Sequence, residues 1–210
     1  MTNPDYTHID VVLDRSGSMQ SIKKDTEGGF KTFLADQRSQ PGKATIALAQ
    51  FDSRYEVVYG PTNIKDAPRL VLVPRGSTAL LDAMGRRITE TGEWLRSLAE
   101  DERPGRVIMV IITDGEENSS KEWQLPAINE LITKQQDKYG WVFMFLAANQ
   151  DAIAAGHSFG IARGSSLTYD TANVQNTYAA ASANITRTRS GLGSGSFTED
   201  ERSSAVTDAQ

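Results

Sequence analysis

Oxygen-bearing side chains that could hold a metal ion are concentrated near the N-terminus. Asp14, Ser16 and Ser18 alternate with Arg15 and Gly17 directly after a short hydrophobic run. On a tight turn, alternate residues can point the same way, so this stretch could form a compact pocket with one carboxylate and two hydroxyls. Because the pocket would contain no sulfur or imidazole, it suits a hard divalent cation such as Mg²⁺ or Mn²⁺.

Two other segments supply candidate ligands. Asp114 lies in a Thr-Asp-Gly turn after the most hydrophobic run of the chain, and Thr78 lies at the start of a predicted helix. Ligands of open α/β sheets gather beyond the carboxyl ends of strands, where the strand order reverses. If the strands that precede Asp14 and Asp114 are neighbours there, the two carboxylates face the same crevice. The sequence therefore predicts that three separate loops converge on one ion.

Alternating strands and helices must position these loops. Short runs rich in β-branched and other apolar residues predict the strands, and apolar residues near a 3.6-residue spacing predict the helices. A turn at residues 52–54 joins two strands into a hairpin, which places one antiparallel strand at an edge of the sheet. The predicted strands are 8–14, 44–51, 55–59, 106–113, 141–147 and 166–169, and the predicted helices are 19–40, 77–98, 126–138, 153–159 and 174–188.

This order predicts an α/β fold with a doubly wound, Rossmann-like open sheet. The sheet is expected to be mostly parallel with one antiparallel edge strand, and helices are expected on both of its faces. The metal-binding domain is predicted to cover residues 1–189. Residues 190–210 are Gly/Ser-rich and then polar, so they are predicted to form a flexible tail.

Charge and composition exclude several classes of partner. The 210-residue chain has a net charge of −5, whereas a nucleic-acid binder needs a basic face. There is no polybasic run for an anionic membrane surface, and the longest apolar run is far shorter than the roughly 20 residues of a membrane helix. The chain has no cysteine, which excludes thiolate metal sites. The N-terminus lacks the features of a signal peptide, so we expect a cytoplasmic location.

Three segments together carry a resemblance to a known family. Residues 14–19, 74–80 and 113–118 read DRSGSM, PRGSTAL and TDGEEN. They resemble the metal-ion-dependent adhesion site of von Willebrand factor type A (VWA) domains, and most of all the small stand-alone intracellular members from bacteria and phages. The resemblance covers about residues 6–185, and no matched metal position departs from the family pattern.

The resemblance implies a protein-interaction module that is not an enzyme. It implies that Ser16 and Ser18 bind the ion directly, that Thr78 binds it in the ligand-competent arrangement, and that Asp14 and Asp114 act directly or through water. Since most of these ligands are neutral, the bound cation could accept an Asp or Glu carboxylate from a partner protein. Intracellular relatives are associated with AAA-type ATPases or assembly machinery, which suggests such partners by analogy.

Two other functions need different residues. A magnesium-dependent phosphohydrolase would share a crevice with an aspartate, but Ser16 stands where acid phosphatase-like folds have a second aspartate. A dinucleotide-binding protein would need a GxGxxG turn after the first strand, and this turn is missing. The phosphohydrolase remains the alternative hypothesis.

Residues beside the candidate ligands are open to two interpretations. Arg15 is expected to point out of the loop, where it could contact a partner. Glu116 and Glu117 are predicted to lie in a solvated loop, although they could tune metal affinity. Residues 149–151 could shape specificity, but a helix cap at Asp151 is the favoured interpretation.

Overall fold

The computed structural model describes residues 1–148 and 150–207. This part of the chain contains six strands and six α-helices. The strands are β1 (Asn3–Asp14), β2 (Lys43–Phe51), β3 (Tyr55–Asn63), β4 (Pro104–Thr113), β5 (Val142–Ala148) and β6 (Ser166–Tyr169). The helices are α1 (Lys23–Ser39), α2 (Leu80–Ser97), α3 (Leu125–Tyr139), α4 (Ala152–Ser158), α5 (Val174–Arg189) and α6 (Glu199–Ala205).

The strands form one sheet in the order β3-β2-β1-β4-β5-β6. All neighbouring strands are parallel except β3, which runs antiparallel to β2 at one edge. Leu13 of β1 pairs with Ile112 of β4, so the loops that follow these two strands start side by side. The strand order reverses between β1 and β4, which is where such folds bind ligands. The predicted α/β fold and its antiparallel edge strand are confirmed.

The sheet separates two hydrophobic cores. Ile9, Val11 and Leu13 of β1 contact the core beneath α1 and α5, and Val12 contacts the core beneath α2 and α3. This alternation follows from the two-residue period of a strand, and burial on both faces explains why β4 and β5 are apolar at consecutive positions. Among the described residues, no helix is both long enough and apolar enough to cross a membrane.

Local signals explain how one of the predicted helices begins and ends. Pro126 lies in the first turn of α3, where its missing N–H is not needed. Gly140 follows the last residue with a φ of +65°, a left-handed conformation that glycine adopts without strain. These two residues bound the helix that the sequence predicts over residues 126–138.

The C-terminal segment differs from the prediction of a flexible tail over residues 190–210. Within its described part, to residue 207, the chain forms α6, and both Phe197 and Ala205 are buried. The Thr198 hydroxyl accepts the N–H of Glu201, and the Glu201 carboxylate accepts the N–H of Thr198. Glu201 also pairs with Arg187 of α5. The prediction is therefore corrected: a capping box and one ion pair dock a segment whose composition alone suggested disorder.

Candidate metal-ion site

Three loops meet at the carboxyl ends of β1 and β4. The loop after β1 donates the N–H of Gly17 to the carbonyl of Gly76, at 3.1 Å. The loop after β4 donates the N–H of Asn118 to the carbonyl of Thr78, at 3.0 Å, and the Asn118 side chain accepts the N–H of Thr78 at 2.9 Å. The loop before α2 is therefore bonded to both of the other loops through main-chain groups.

Asp14 lies at the end of β1 and is completely buried. Its Oδ1 accepts the N–H of Ser16, and its Oδ2 accepts the hydroxyl of Thr113, each at 2.6 Å. Burial raises the pKa of Asp14 to about 6 although these hydrogen bonds oppose the shift, and the nearby Asp114 carboxylate adds to it. The ionised form of Asp14 would therefore be stabilised by a cation nearby.

The two serine hydroxyls connect the first loop to Asp114. Ser16 Oγ lies 3.0 Å from Ser18 Oγ, and Ser18 Oγ donates to Asp114 Oδ1 at 2.6 Å. Ser16 and Asp114 are buried, whereas Ser18 is exposed. Burial raises the pKa of Asp114, and the hydrogen bond from Ser18 opposes that shift. These oxygens form a continuous row that reaches solvent at Ser18.

Thr78 approaches the same crevice from the loop before α2. A Cβ atom at Gly115 would lie 3.2 Å from Thr78 Oγ1 and 3.7 Å from Ser18 Oγ. Glycine at this position therefore keeps the space between the two hydroxyls open. The structure brings together all five residues that the sequence predicted for the site, which are Asp14, Ser16, Ser18, Thr78 and Asp114.

The donor set fits a hard divalent cation. Adjacent ligands of an octahedral Mg²⁺ ion with bonds of about 2.1 Å lie about 3.0 Å apart, which is also the distance between Ser16 Oγ and Ser18 Oγ. A hydroxyl can direct a lone pair toward a cation while its O–H still donates to a carboxylate. Ser18 therefore need not lose its hydrogen bond to Asp114. No cluster of three or more His, Cys, Asp or Glu side chains that could hold a metal occurs among the described residues. Serine and threonine oxygens must therefore complete any metal site here.

Three residues outside the predicted ligand set support the site, and they are Thr113, Gln150 and Tyr169. The Thr113 hydroxyl accepts the N–H of Gly115 at 3.1 Å in addition to bonding Asp14, so it links the two acidic loops. Gln150 donates to the carbonyl of Gly115 at 3.0 Å, and Tyr169 donates its hydroxyl to the carbonyl of Thr113 at 3.1 Å. Thr113 could have been found as the last residue of β4, since its polar side chain follows a wholly apolar run.

Arg15 does not point outward to a partner, so this possibility is excluded. Its side chain is buried, its Nε donates to Asp52 Oδ2 at 2.8 Å, and its Nη1 donates to Glu56 Oε2 at 2.5 Å. Asp52 also accepts the N–H of Arg54 at 2.8 Å. This ion pair fastens the loop after β1 to the β2–β3 hairpin.

The remaining flanking residues have structural roles, with one exception. Glu117 accepts the N–H of Leu81 at 2.9 Å and caps the start of α2, so only Glu116 is the exposed loop residue that was predicted. Asp151 accepts two N–H groups in the first turn of α4, which confirms the predicted cap. Asn149 lies outside the described residues.

Similarity to solved structures defines the fold of the chain. It superimposes on the pilus adhesin SpaC from Lactobacillus rhamnosus GG with a TM-score of 0.63 and 14% identity over 87% of this chain and 30% of that chain. It superimposes on a von Willebrand factor type A protein from Catenulispora acidiphila with a TM-score of 0.60 and 14% identity over 86% of this chain and 42% of that chain. For proximal thread matrix protein 1 from the mussel byssus, the TM-score is 0.58 and the identity is 14% over 83% of this chain and 44% of that chain.

The chain therefore has the VWA-like α/β fold. It spans less than half the length of each of these structures, and an identity of 14% extends the likeness to the fold alone. No protein-family sequence model and no curated protein sequence matches the chain.

Proposed function

We propose that this chain is a divalent-cation-dependent protein-interaction module. An acidic side chain of a partner protein docks onto a Mg²⁺ or Mn²⁺ ion. The convergence of three hydroxyls and two carboxylates at the point where the strand order reverses is the observation that carries the proposal. The residues that would hold the ion are Asp14, Ser16, Ser18, Thr78 and Asp114.

The chemistry of these ligands favours binding of an acid. Only two of the five are charged, so they offset the charge of a divalent cation without exceeding it. When bound, such an ion supplies a positive coordination position that a carboxylate of the partner can fill in place of water. Ser18 is the exposed member of the set, so the partner would approach from its side.

The position of Asp14 argues against the phosphohydrolase alternative. An aspartate nucleophile needs an oxygen that is free to attack a phosphoryl group. Asp14 is completely buried, and its two oxygens accept hydrogen bonds from Ser16 and Thr113. This arrangement suits a residue that supports a metal site, so binding is the better supported function.

The partner is defined here by its chemistry. It must present an exposed Asp or Glu carboxylate, and the family analogy makes an AAA-type ATPase or an assembly factor a candidate. Two of the structures with this fold are a pilus adhesin and a byssal matrix protein. Those names fit a fold that is used for binding, and they do not identify the partner of this chain.

Calorimetric titration of Mg²⁺ into the EDTA-treated protein tests the metal site. We expect one binding event per chain, and we expect the double variant Ser16→Ala/Ser18→Ala to lose it. The matched control is Ser158→Ala/Ser204→Ala, which removes two exposed hydroxyls that bond only to carbonyls within their own helices. Equal magnesium binding by the two double variants would contradict the proposed ligands.

Affinity capture from a cell extract tests the docking step. The wild-type chain should retain a partner in Mg²⁺ and release it in EDTA, and Asp14→Ala should retain none. An acidic surface residue of the captured partner should then be essential for capture. A partner that stays bound in EDTA, and that binds Asp14→Ala equally well, would show that the interaction does not use the ion.

A further inference from the structure

Arg75 presents a guanidinium group beside the candidate metal site. Its Nε donates to Asp52 Oδ2 at 2.9 Å, and its side chain is 55% exposed. In the described part of the chain, the two terminal nitrogens of Arg75 have no hydrogen-bond partner. The ion pair with Asp52 therefore fixes one edge of the guanidinium and leaves the other edge free for a planar anion.

Main-chain hydrogen bonds place Arg75 next to the metal ligands. Its N–H donates to the carbonyl of Arg15, at 2.9 Å, and Arg15 directly precedes Ser16. Asp52, whose carboxylate anchors the guanidinium, also accepts the N–H of Ala79 with its main-chain carbonyl, at 3.0 Å. Ala79 directly follows Thr78. The guanidinium thus flanks the site on the side of β2.

The opposite side of the site carries the opposite charge. Exposed Glu116 follows β4, and exposed Asp151 follows β5. On the β2 side, three arginines face two acids, which leaves one positive charge in excess; these residues are Arg15, Arg54, Arg75, Asp52 and Glu56. The rim of the site is therefore polarised, with an anchored cation toward β2 and two acids toward β4 and β5.

We propose that Arg75 is a second carboxylate receptor, so that the module selects a partner segment with two acidic side chains. One carboxylate binds the ion, and the other forms a two-point hydrogen bond with the free edge of Arg75. The polarity of the rim sets the direction of the segment, since a second acid on the other side would face Glu116 and Asp151. This inference rests on the proposed function of the metal site.

Synthetic peptides test this inference without knowledge of the natural partner. One series is Ac-Asp-(Gly)n-Asp-NH₂ with glycine spacers of increasing length, and the matched series replaces the second Asp by Asn. Binding to the full chain is measured by NMR titration in Mg²⁺ and in EDTA. At the spacer length that bridges the two receptors, we expect the two-acid peptide to bind roughly five-fold more tightly than its Asn counterpart in Mg²⁺.

Substitutions then assign this preference to Arg75. Arg75→Gln should remove the preference, so that the two-acid and one-acid peptides bind with equal affinity, whereas Arg75→Lys keeps the charge and should retain part of the preference. Arg54→Gln is the matched control because Arg54 is exposed in the adjacent turn and only its main chain contacts Asp52. The magnesium affinity and melting temperature of each variant report whether the loop is intact.

The outcomes separate this inference from the proposed function. Magnesium-dependent binding of both peptides with equal affinity at every spacer length would overturn the role of Arg75 and leave the metal site in place. An equal loss of affinity for both peptides in Arg75→Gln would likewise overturn the role of Arg75, since such a loss would show a general effect on the site. If neither peptide needs Mg²⁺, both the proposed function and this inference are overturned.

Discussion

Asp14 carries a charge that the folded chain accommodates poorly without a cation. Complete burial raises its pKa to about 6, whereas the ordinary value is 3.8. Folding therefore favours the protonated form, and ionisation of Asp14 destabilises the metal-free protein as the pH rises through this interval. A bound cation would reverse that effect, because it stabilises the ionised form.

Asp14→Asn should change stability and metal affinity in opposite directions. An Asn side chain can still accept the N–H of Ser16 and can donate to Thr113 Oγ1, so the loop should keep its shape. In EDTA at pH 7.5, we expect the free energy of unfolding to rise by about 1–2 kcal/mol, and this gain should vanish as the pH falls toward 4. Magnesium affinity should fall roughly 100-fold.

Urea unfolding and calorimetry check both effects of Asp14→Asn. Asp137→Asn is the control, because that carboxylate is exposed on α3. A variant that loses stability at pH 7.5 in EDTA would show that the charge of Asp14 is already compensated in the metal-free protein.

Gly115 separates two of the candidate ligands, so its lack of a side chain is expected to matter for metal binding. In Gly115→Ala, the new methyl group would lie 3.2 Å from Thr78 Oγ1, which must then move. Because this contact is tight without being severe, we expect roughly ten-fold weaker Mg²⁺ binding with less than about 1 kcal/mol of destabilisation. Calorimetry and thermal unfolding measure the two quantities.

Gly92→Ala is the control for this substitution. Gly92 lies on α2, and a Cβ atom there would have no atom within 4 Å. It should leave Mg²⁺ affinity unchanged and stabilise the helix by roughly 0.5–1 kcal/mol. If both glycine variants bind Mg²⁺ like the wild type, the space beside Gly115 is not part of the site.

At the scale of elements, a buried ion pair fixes α2 to β1. Arg87 Nε donates to Asp10 Oδ1 at 2.5 Å, and the Thr91 hydroxyl donates to Asp10 Oδ2. Burial opposes ionisation of Asp10, but the Arg87 charge holds the pKa of this carboxyl below its ordinary value. Since Thr78 lies just before α2, this pair also helps to set the distance between Thr78 and the loop after β1.

Removing one charge of this ion pair should destabilise the protein more than removing both charges. Asp10→Leu leaves a buried guanidinium with only the more distant, partly exposed Glu90 as counter-charge, so we expect a loss of about 3–5 kcal/mol. Asp10→Leu combined with Arg87→Met removes both charges and should recover most of that loss. Urea unfolding of the two single variants and the double variant measures the coupling, and strictly additive effects would show that the pair does not act as a unit.

At the scale of the whole molecule, the two edges of the sheet differ in what covers them. The edge at β6 lies against α6, since Asp170 donates its N–H to the carbonyl of Ala205 at 2.9 Å and Arg202 donates to the carbonyl of Ser166 at 2.9 Å. The edge at β3 pairs only with β2 within the described ranges. The C-terminal segment thus protects one edge of the sheet and ties α5 to it.

Glu201→Gln should loosen α6 while the rest of the fold stays intact. Burial opposes ionisation of Glu201, but hydrogen bonds from Arg187 and from the N–H of Thr198 hold its pKa below the ordinary value of 4.5. The ionised carboxylate therefore stabilises the docked helix above about pH 4.5, and acidification below that value removes the contribution. We expect a loss of about 1 kcal/mol at pH 7.

Amide hydrogen exchange localises the effect of Glu201→Gln. The amides of α6 should exchange several-fold faster in the variant, and those of β4 should not change. Glu199→Gln removes an exposed carboxylate from the same helix and serves as the control. Equal protection of α6 in the two variants at pH 7 would show that the ion pair with Arg187 does not hold the helix.

Most of the fold, and the convergence of the five candidate ligands in one crevice, could be predicted from the sequence. Residues 8–14 and 106–113 each show a strand pattern followed by an acidic residue, and the helix before residue 98 shows a clear apolar periodicity. These signals are local, because they depend on the period of an element and on the residue that follows it. The same locality explains why the cap at Asp151 and the helix over residues 126–138 were found.

Only the tertiary structure shows the features that depend on contacts between segments distant in the sequence. Arg15 is buried because Asp52 and Glu56 of the hairpin face it, and the last segment is docked because Arg187 meets Glu201. Arg75 flanks the site because its loop bonds to Arg15. Local patterns in a single sequence do not reveal which distant charges become neighbours. The types of the candidate ligands were therefore fixed by the sequence, whereas their surroundings were decided by the fold.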